Sequence, residues 1–142
     1  MTIKNLKHGK NFKYIDPVNI YDSDIGDDVF IGPFVEIQNN VKIGSNTRIQ
    51  SHSFICSEVT IGDYCFIGHG VMFTNDTFKD NQVNFTPPFD KTNIGNNVLI
   101  GSNSTILPVL ICDDVTIGAG SVVTKDISES GVYAGNPAKK IK

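Results

Sequence analysis

The residues of this chain best suited to chemistry fall in one short run, Gly68-His69-Gly70-Val71-Met72-Phe73-Thr74-Asn75-Asp76. An imidazole titrates near neutral pH and can take a proton from an attacking group. A carboxamide can orient an amine or donate a hydrogen bond to a tetrahedral oxyanion. A carboxylate can accept from an amine or hold a polar substrate. His69, Asn75 and Asp76 are therefore the candidate catalytic residues. Each also has a plainer reading: His69 fills a corner between two glycine turns, and Asn75-Asp76 is a turn that favours its own geometry. His8 and His52 do not make a metal set with His69, because His52 lies seventeen residues before it and His8 sits in the N-terminal segment. Cys56, Cys65 and Cys112 are odd in number and contain no CxxC pair, so neither a disulfide framework nor a zinc knuckle follows. They read as small buried hydrophobes, and no metal is expected.

The elements that must position these residues are written in a period of six. From Ile25, every sixth residue is Ile31, Ile37, Ile43, Ile49, Ile55, Ile61, Ile67 and Phe73, and the pattern resumes at Ile94, Ile100 and Ile106, then at Ile111, Ile117 and Val123. A small residue stands two places before each, and glycine often follows, as at Gly26, Gly32, Gly44, Gly62 and Gly68. A regular internal period of this kind marks a solenoid. Each unit is a short strand whose alternate side chains, such as Val29 and Ile31, point inward while Phe30 points out. Glycine is expected to let the backbone bend where a Cβ would crowd it. Three units close a triangular coil, and coils stack about 4.8 Å apart as a parallel β-helix.

Coils of eighteen residues place Ser51 beneath His69 and Ser57 beneath Asn75, with Ser102 above His69. They also align Phe30, Arg48 and Phe66 on one outer face, and Glu36, Phe54 and Met72 on the next. Exposed phenylalanines on a flat sheet call for a partner, and at least one face is expected to be a subunit contact. Residues 1–19 are expected to cap one end of a single domain spanning 1–142, and residues 124–142 the other. Between Phe73 and Ile94 the register breaks, and residues 76–93, with Phe78, Phe85, Phe89, Pro87 and Pro88, are expected to leave the solenoid as a long loop. Such loops on compact scaffolds tend to carry function. A five-residue step from Ile106 to Ile111 marks a tightened corner at Pro108.

Net charge is −3 over 142 residues, with scattered lysines. No basic stripe marks a nucleic-acid binder. No apolar run suits a signal peptide or a membrane span, so the expected address is cytoplasmic.

The repeat, together with Ile117-Gly118-Ala119-Gly120-Ser121-Val122-Val123-Thr124-Lys125-Asp126-Ile127 and the later Ala134-Gly135-Asn136-Pro137-Ala138, resembles the hexapeptide-repeat acyltransferase superfamily over nearly the whole chain. The resemblance implies a left-handed β-helix, a homotrimer, and acetyl-CoA bound between neighbouring subunits. It implies Gly101, Ala119 and Gly120 for the pantetheine arm, and Asn136, Pro137, Lys139 and Lys140 near the adenosine end. Turn geometry accounts equally for the glycines, and a solvated tail for the lysines.

Residues 66–76 are similar to sugar-nucleotide N-acetyltransferases acting on nucleotide-linked 3-amino-dideoxy sugars for surface polysaccharide such as lipopolysaccharide. Galactoside and xenobiotic acetyltransferases of this fold carry a catalytic histidine in or beside the loop, whereas no histidine follows His69 here. A hydroxyl needs a general base, while a neutral amine needs only placement. The expected activity is direct acetyl transfer from acetyl-CoA to an amine, with a nucleotide sugar as partner. O-acetylation with His69 as base is the alternative. A zinc enzyme like the γ-carbonic anhydrases and a silent assembly subunit share the fold; the histidine placement speaks against the first, and the intact C-terminal motif against the second.

Overall fold

Each hexapeptide folds as a strand of two or three residues followed by a turn, and the strands pair in parallel with those of the coils above and below. The computed structural model describes residues 2–142 as a parallel β-solenoid of about eight turns, without α-helix. Among the described residues, no helix is long and apolar enough to cross a membrane. Its prism has three faces. One eight-stranded sheet stacks Tyr14, Ile31, Ile49, Ile67, Ile100 and Ile117 in register. The other two faces form one eleven-stranded sheet, because the long strand Val18–Ile25 turns a corner and belongs to both.

The period-six aliphatics are the core. Ile31, Ile37, Ile49, Ile55 and Ile67 are completely buried, and each meets a like residue one coil away. The outer faces match the expected stacking: Arg48 lies between Phe30 and Phe66, with its guanidinium 4.3 Å from the Phe30 ring centre, and Phe54 lies between Glu36 and Met72. Polar residues at inward positions serve the backbone. Thr47 Oγ1 donates to the Gly62 carbonyl at 2.9 Å, and Ser53 Oγ to the Gly68 carbonyl at 2.8 Å.

The turns correct one expectation. Left-handed backbone falls two residues after the glycine position, at Asp28, Phe34, Asn40, Asn46, His52, Glu58 and Tyr64, with φ between 56° and 70°. The glycine itself is required by close approach of coils. A Cβ on Gly44 would lie 2.5 Å from the Gly62 backbone, and one on Gly101 2.5 Å from the Ala119 nitrogen. With Asn5, Asn11, Asp22, Asn97, Asn103 and Asp114 in the same conformation, the bends of the whole solenoid are made mostly by Asn and Asp, which tolerate it best among residues with a Cβ.

Coil length also varies. Partners lie eighteen residues apart through the middle, as Ile49 with Ile67, but seventeen apart at both ends, as Ile3 with Ile20 and Ile94 with Ile111. The short corner at Pro108 accounts for the upper shift. The segment expected to cap the N-terminal end contributes a coil of its own, with Ile3–His8 on Ile20–Ile25 and Lys13–Tyr14 on Phe30–Ile31. At the other end Gly131–Ala134 continues the eight-stranded sheet beside Val115–Ile117, and Lys139–Lys140 folds back antiparallel on it.

Removing an inward isoleucine leaves a hole that stacked coils cannot collapse. Ile49→Ala should cost about 2–5 kcal/mol in urea unfolding, against less than about 1 kcal/mol for outward Arg48→Ala on the same strand. Equal losses would contradict the inward and outward assignment.

Candidate functional site

The loop departs after Asn75, and Asp76 shapes it. Its Oδ1 accepts the Phe78 N–H at 2.9 Å and its Oδ2 the Asn84 N–H at 2.8 Å, while Asn84 Nδ2 reaches the Pro88 carbonyl at 3.2 Å. Lys79 and Asp90 pair at 3.6 Å across the loop, an exposed contact of small weight. Held this way, the loop overhangs the sheet face bearing Phe54 and Met72 and forms with it an open-sided cavity of about 860 Å³. Phe54, Met72 and Leu107 line it from the solenoid, and Phe78, Phe85 and Phe89 from the loop, with Asn75, Asp76 and Ser57 among its polar groups.

Ser57 lies under Asn75, as the coil spacing requires. Asn75 Nδ2 donates to Ser57 Oγ at 2.8 Å and to the Ser57 carbonyl at 3.1 Å. Both amide protons are engaged, so the side chain offers its Oδ1, an acceptor, to a ligand. That suits orientation of an amine N–H. Donation to an oxyanion, the other role expected of Asn75, would require the nitrogen to give up one of these two bonds. Asp76 is likewise committed first to backbone donors, and only its remaining lone pairs face a substrate.

His69 stands on the neighbouring corner, across the strand Met72–Phe73 from Asn75, and is not among the residues lining the cavity. Within one chain the structure does not bring His69 and Asn75 together. His69 Nδ1 lies 2.9 Å from Ser51 Oγ. For Nε2 to act as a base, Nδ1 must carry the proton and donate to that hydroxyl. His52 is separately occupied, its ring stacked 4.9 Å from Phe34.

The residues nominated for the pantetheine arm share the His69 corner. Gly101 packs under Ala119, Asn103 N–H donates to the His69 carbonyl at 2.8 Å, and Gly120 N–H to the Ser102 carbonyl at 2.8 Å. The corner on the far side of the eight-stranded sheet provides a contrast. There each turn amide is capped by a side chain one coil on: Lys10 by Asp27, Asp27 by Ser45, Ser45 by Asp63, Asp63 by Asn96 and Asn96 by Asp113. On the His69 corner the equivalent positions are Pro33, Ser51, His69, Ser102 and Ala119, and among the described residues no group caps the four N–H donors. A row of unspent amides fits the amide and carbonyl oxygens of a pantetheine arm. Gly120, with its N–H bonded inward, serves the turn, at φ 69°.

At the C-terminal end, Lys140 Nζ is 2.7 Å from Glu129 Oε1, which holds the carboxyl below its ordinary range and the ammonium above its own. Among the described residues, Lys139 forms no ion pair. Asn136 and Pro137 lie in the exposed turn between the last two strands. Of the two lysines expected near phosphates, only Lys139 is therefore uncommitted.

The cavity contains no activated nucleophile. Burial pushes the Cys56 thiol up to about 12, and burial, then Glu36 and Asp22, raise the Tyr21 phenol. Sequence reasoning singled out Asn75 and Asp76 but not the apolar wall of Phe54, Met72 and Leu107. The outward positions of Phe54 and Met72 were legible; the loop folding over that particular face was not.

Residues 22–57 match the bacterial transferase hexapeptide family, described as six repeats, and residues 91–125 the hexapeptide repeat of succinyl-transferase. A probable macrolide acetyltransferase of Lysinibacillus sphaericus is 36% identical across 92% of this chain and 68% of its own length. The bifunctional protein GlmU of Trichodesmium erythraeum is 32% identical over 99% of this chain, which spans only 31% of GlmU's length. AntD, an N-acyltransferase from Bacillus cereus crystallised as a serine-to-alanine mutant with dTDP-4-amino-4,6-dideoxyglucose and coenzyme A, is a similar solved structure. Its TM-score is 0.84 at 27% identity, covering 96% of this chain and 82% of AntD.

A thiol held neutral is a poor nucleophile. Cys56 should resist iodoacetamide at pH 8 in the native protein and react only in denaturant, while half-exposed Cys112 reacts first. Because the folded pKa is raised, the stability that Cys56 contributes is full below the unfolded thiol's value and is lost as pH climbs toward about 12. Peptide mapping that finds Cys56 labelled first would refute this.

Proposed function

The chain belongs to the hexapeptide-repeat acyltransferase superfamily, and we propose that it transfers acetyl from acetyl-CoA to the amino group of a nucleotide-linked amino-deoxy sugar. The observation that carries this reading is Asn75 Oδ1, an acceptor at the mouth of a base-poor cavity under the loop. It can hold an amine by its N–H and aim the nitrogen lone pair. The likeness to AntD supports a nucleotide-sugar acceptor.

The amine nitrogen attacks the thioester carbonyl carbon, the oxyanion collapses, and the carbon–sulfur bond breaks. The departing thiolate takes the proton that the nitrogen sheds, so the balance needs no protein base. A neutral Cys56 thiol and a Ser57 hydroxyl with no histidine in the same cavity favour this direct route over an acyl-enzyme. The separation of the His69 corner from the Asn75 cavity favours a homotrimer with active sites between subunits, where one copy's unspent amides face its neighbour's loop. In this reading the enzyme is cytoplasmic and serves surface-polysaccharide assembly.

The His69–Ser51 contact favours one other reading, acetylation of a sugar hydroxyl with His69 as obligatory base. A coupled thiol-release assay over nucleotide-linked amino sugars, their hydroxyl counterparts and macrolides separates the two. Amine sugars should turn over, and Asn75→Ala should lower kcat more than His69→Ala. Activity on hydroxyl acceptors alone, or complete loss confined to His69→Ala, would sink the amine assignment.

Acetyl-CoA binding at the amide row has its own probe. Pro33 shows that this corner accepts proline after glycine, so Ala119→Pro should fold normally while deleting one donor. KM for acetyl-CoA should rise about tenfold, as for a lost hydrogen bond of about 1.4 kcal/mol, with KM for the acceptor unchanged. An unaltered KM for acetyl-CoA would move the cofactor off this corner.

A further inference from the structure

The cavity under the loop has a polar side and an apolar side. Ser57 and Asn75 stand one above the other at the corner, joined by their hydrogen bonds. On the strand side, Met72 pairs directly with Phe54 of the coil below. These two outward side chains make an apolar patch two coils tall, bounded by Glu36 beneath and Thr105 above. Met72 is 41% exposed, and Leu107 and the loop residues Phe78, Phe85 and Phe89 line the same cavity.

Much of the polar lining is already spent. Gln38 donates to Glu36 and accepts the Ser57 N–H, while Asn84 donates to the Pro88 carbonyl and accepts the Thr86 N–H. Asp76 accepts from two loop amides. Among the described residues, no lysine or arginine lines the cavity. A hydroxyl turned toward Phe54 and Met72 would give up water without gaining a partner, whereas a methyl group there covers exposed carbon. Only Phe73 and Thr74 separate Met72 from Asn75, so patch and carboxamide lie at most about 10 Å apart along the chain. One sugar ring bridges that gap.

We propose that Phe54 and Met72 are specificity-determining residues that take the deoxygenated edge of the acceptor sugar while Asn75 holds its amine. Only the sugar ring enters the cavity. The diphosphate, which would meet no cation inside, stays at the open side. The inference rests on the amine-acceptor reading above and deepens it by naming what reads the missing hydroxyl.

Two nucleotide-linked amino sugars test it, with the amine at the same carbon and either a methyl or a hydroxymethyl group on C5 of the ring. Both are assayed with acetyl-CoA and the full chain, as wild type and as Met72→Gln, Met72→Leu and Phe54→Tyr. Wild type should favour the methyl sugar about tenfold in kcat/KM, within the roughly hundredfold that an apolar pocket achieves against one added hydroxyl. Met72→Gln, nearly the same size, should narrow the ratio to about threefold or less by improving the hydroxymethyl sugar. KM for acetyl-CoA and the thermal midpoint should not move, and Met72→Leu should keep the wild-type ratio. Equal kcat/KM for the two amines in wild type would overturn the proposal and leave the amine reading intact. So would a preference that survives in both Met72→Gln and Phe54→Tyr. Turnover of hydroxyl acceptors but of neither amine would overturn both together.

Discussion

Parallel pairing between coils, at the spacing of neighbouring strands, is the constraint from which the other features follow. Most strands are only two or three residues long and, the C-terminal pair Gly131–Ala134 and Lys139–Lys140 aside, have no local partner, so they are stable only when the coils on either side hold them. That pairing demands a flat approach of turn on turn, which excludes a Cβ at Gly44 and Gly101. It also stacks like side chains directly over one another, so the isoleucine ladder inside and the Asn, Asp and Ser caps outside are consequences of one geometry. A buried Ile column supplies the apolar area, and the hydroxyls of Thr47 and Ser53 satisfy carbonyls that the turns leave behind.

Within that regularity, the proposed site draws on the corners that depart from their neighbours. The corner bearing Asp27, Asp63 and Asp113 spends its turn amides on capping, whereas the corner bearing Ser51, His69, Ser102 and Ala119 leaves them unspent. The third corner opens into a loop that Asp76 braces and that turns a flat, partly apolar face into a cavity. The scaffold fixes these sites to within a strand spacing. Rigid placement matters for acyl transfer, in which the acceptor atom must be aligned with the thioester carbonyl.

Much of this was legible because the period is unusually strict. From Ile25 to Phe73 the six-residue count alone gave the inward positions and the stacking of Ser51 under His69 and Ser57 under Asn75. Composition was less informative at the turns. Glycine after isoleucine looked like a bend residue, but Asp28, Asn40 and Asn46 make the bend, and the glycine answers to contact with the next coil. The N-terminal segment, which lacks the aliphatic period, still forms a coil through Ile3, Leu6 and Tyr14 because pairing needs backbone more than a motif.

The sequence by itself determined the solenoid, its coil length in the middle, the exit of the loop and the residue types at its root. Those depend on spacing along the chain, which a fixed repeat converts directly into position. Only the tertiary structure decided which way the Asn75 amide faces, that His69 and Asn75 occupy separate corners, and which turn amides remain unspent. These depend on what lies one coil above or below, and on how a loop without a period folds over one face. Such contacts join residues far apart in the chain, and no local pattern records them.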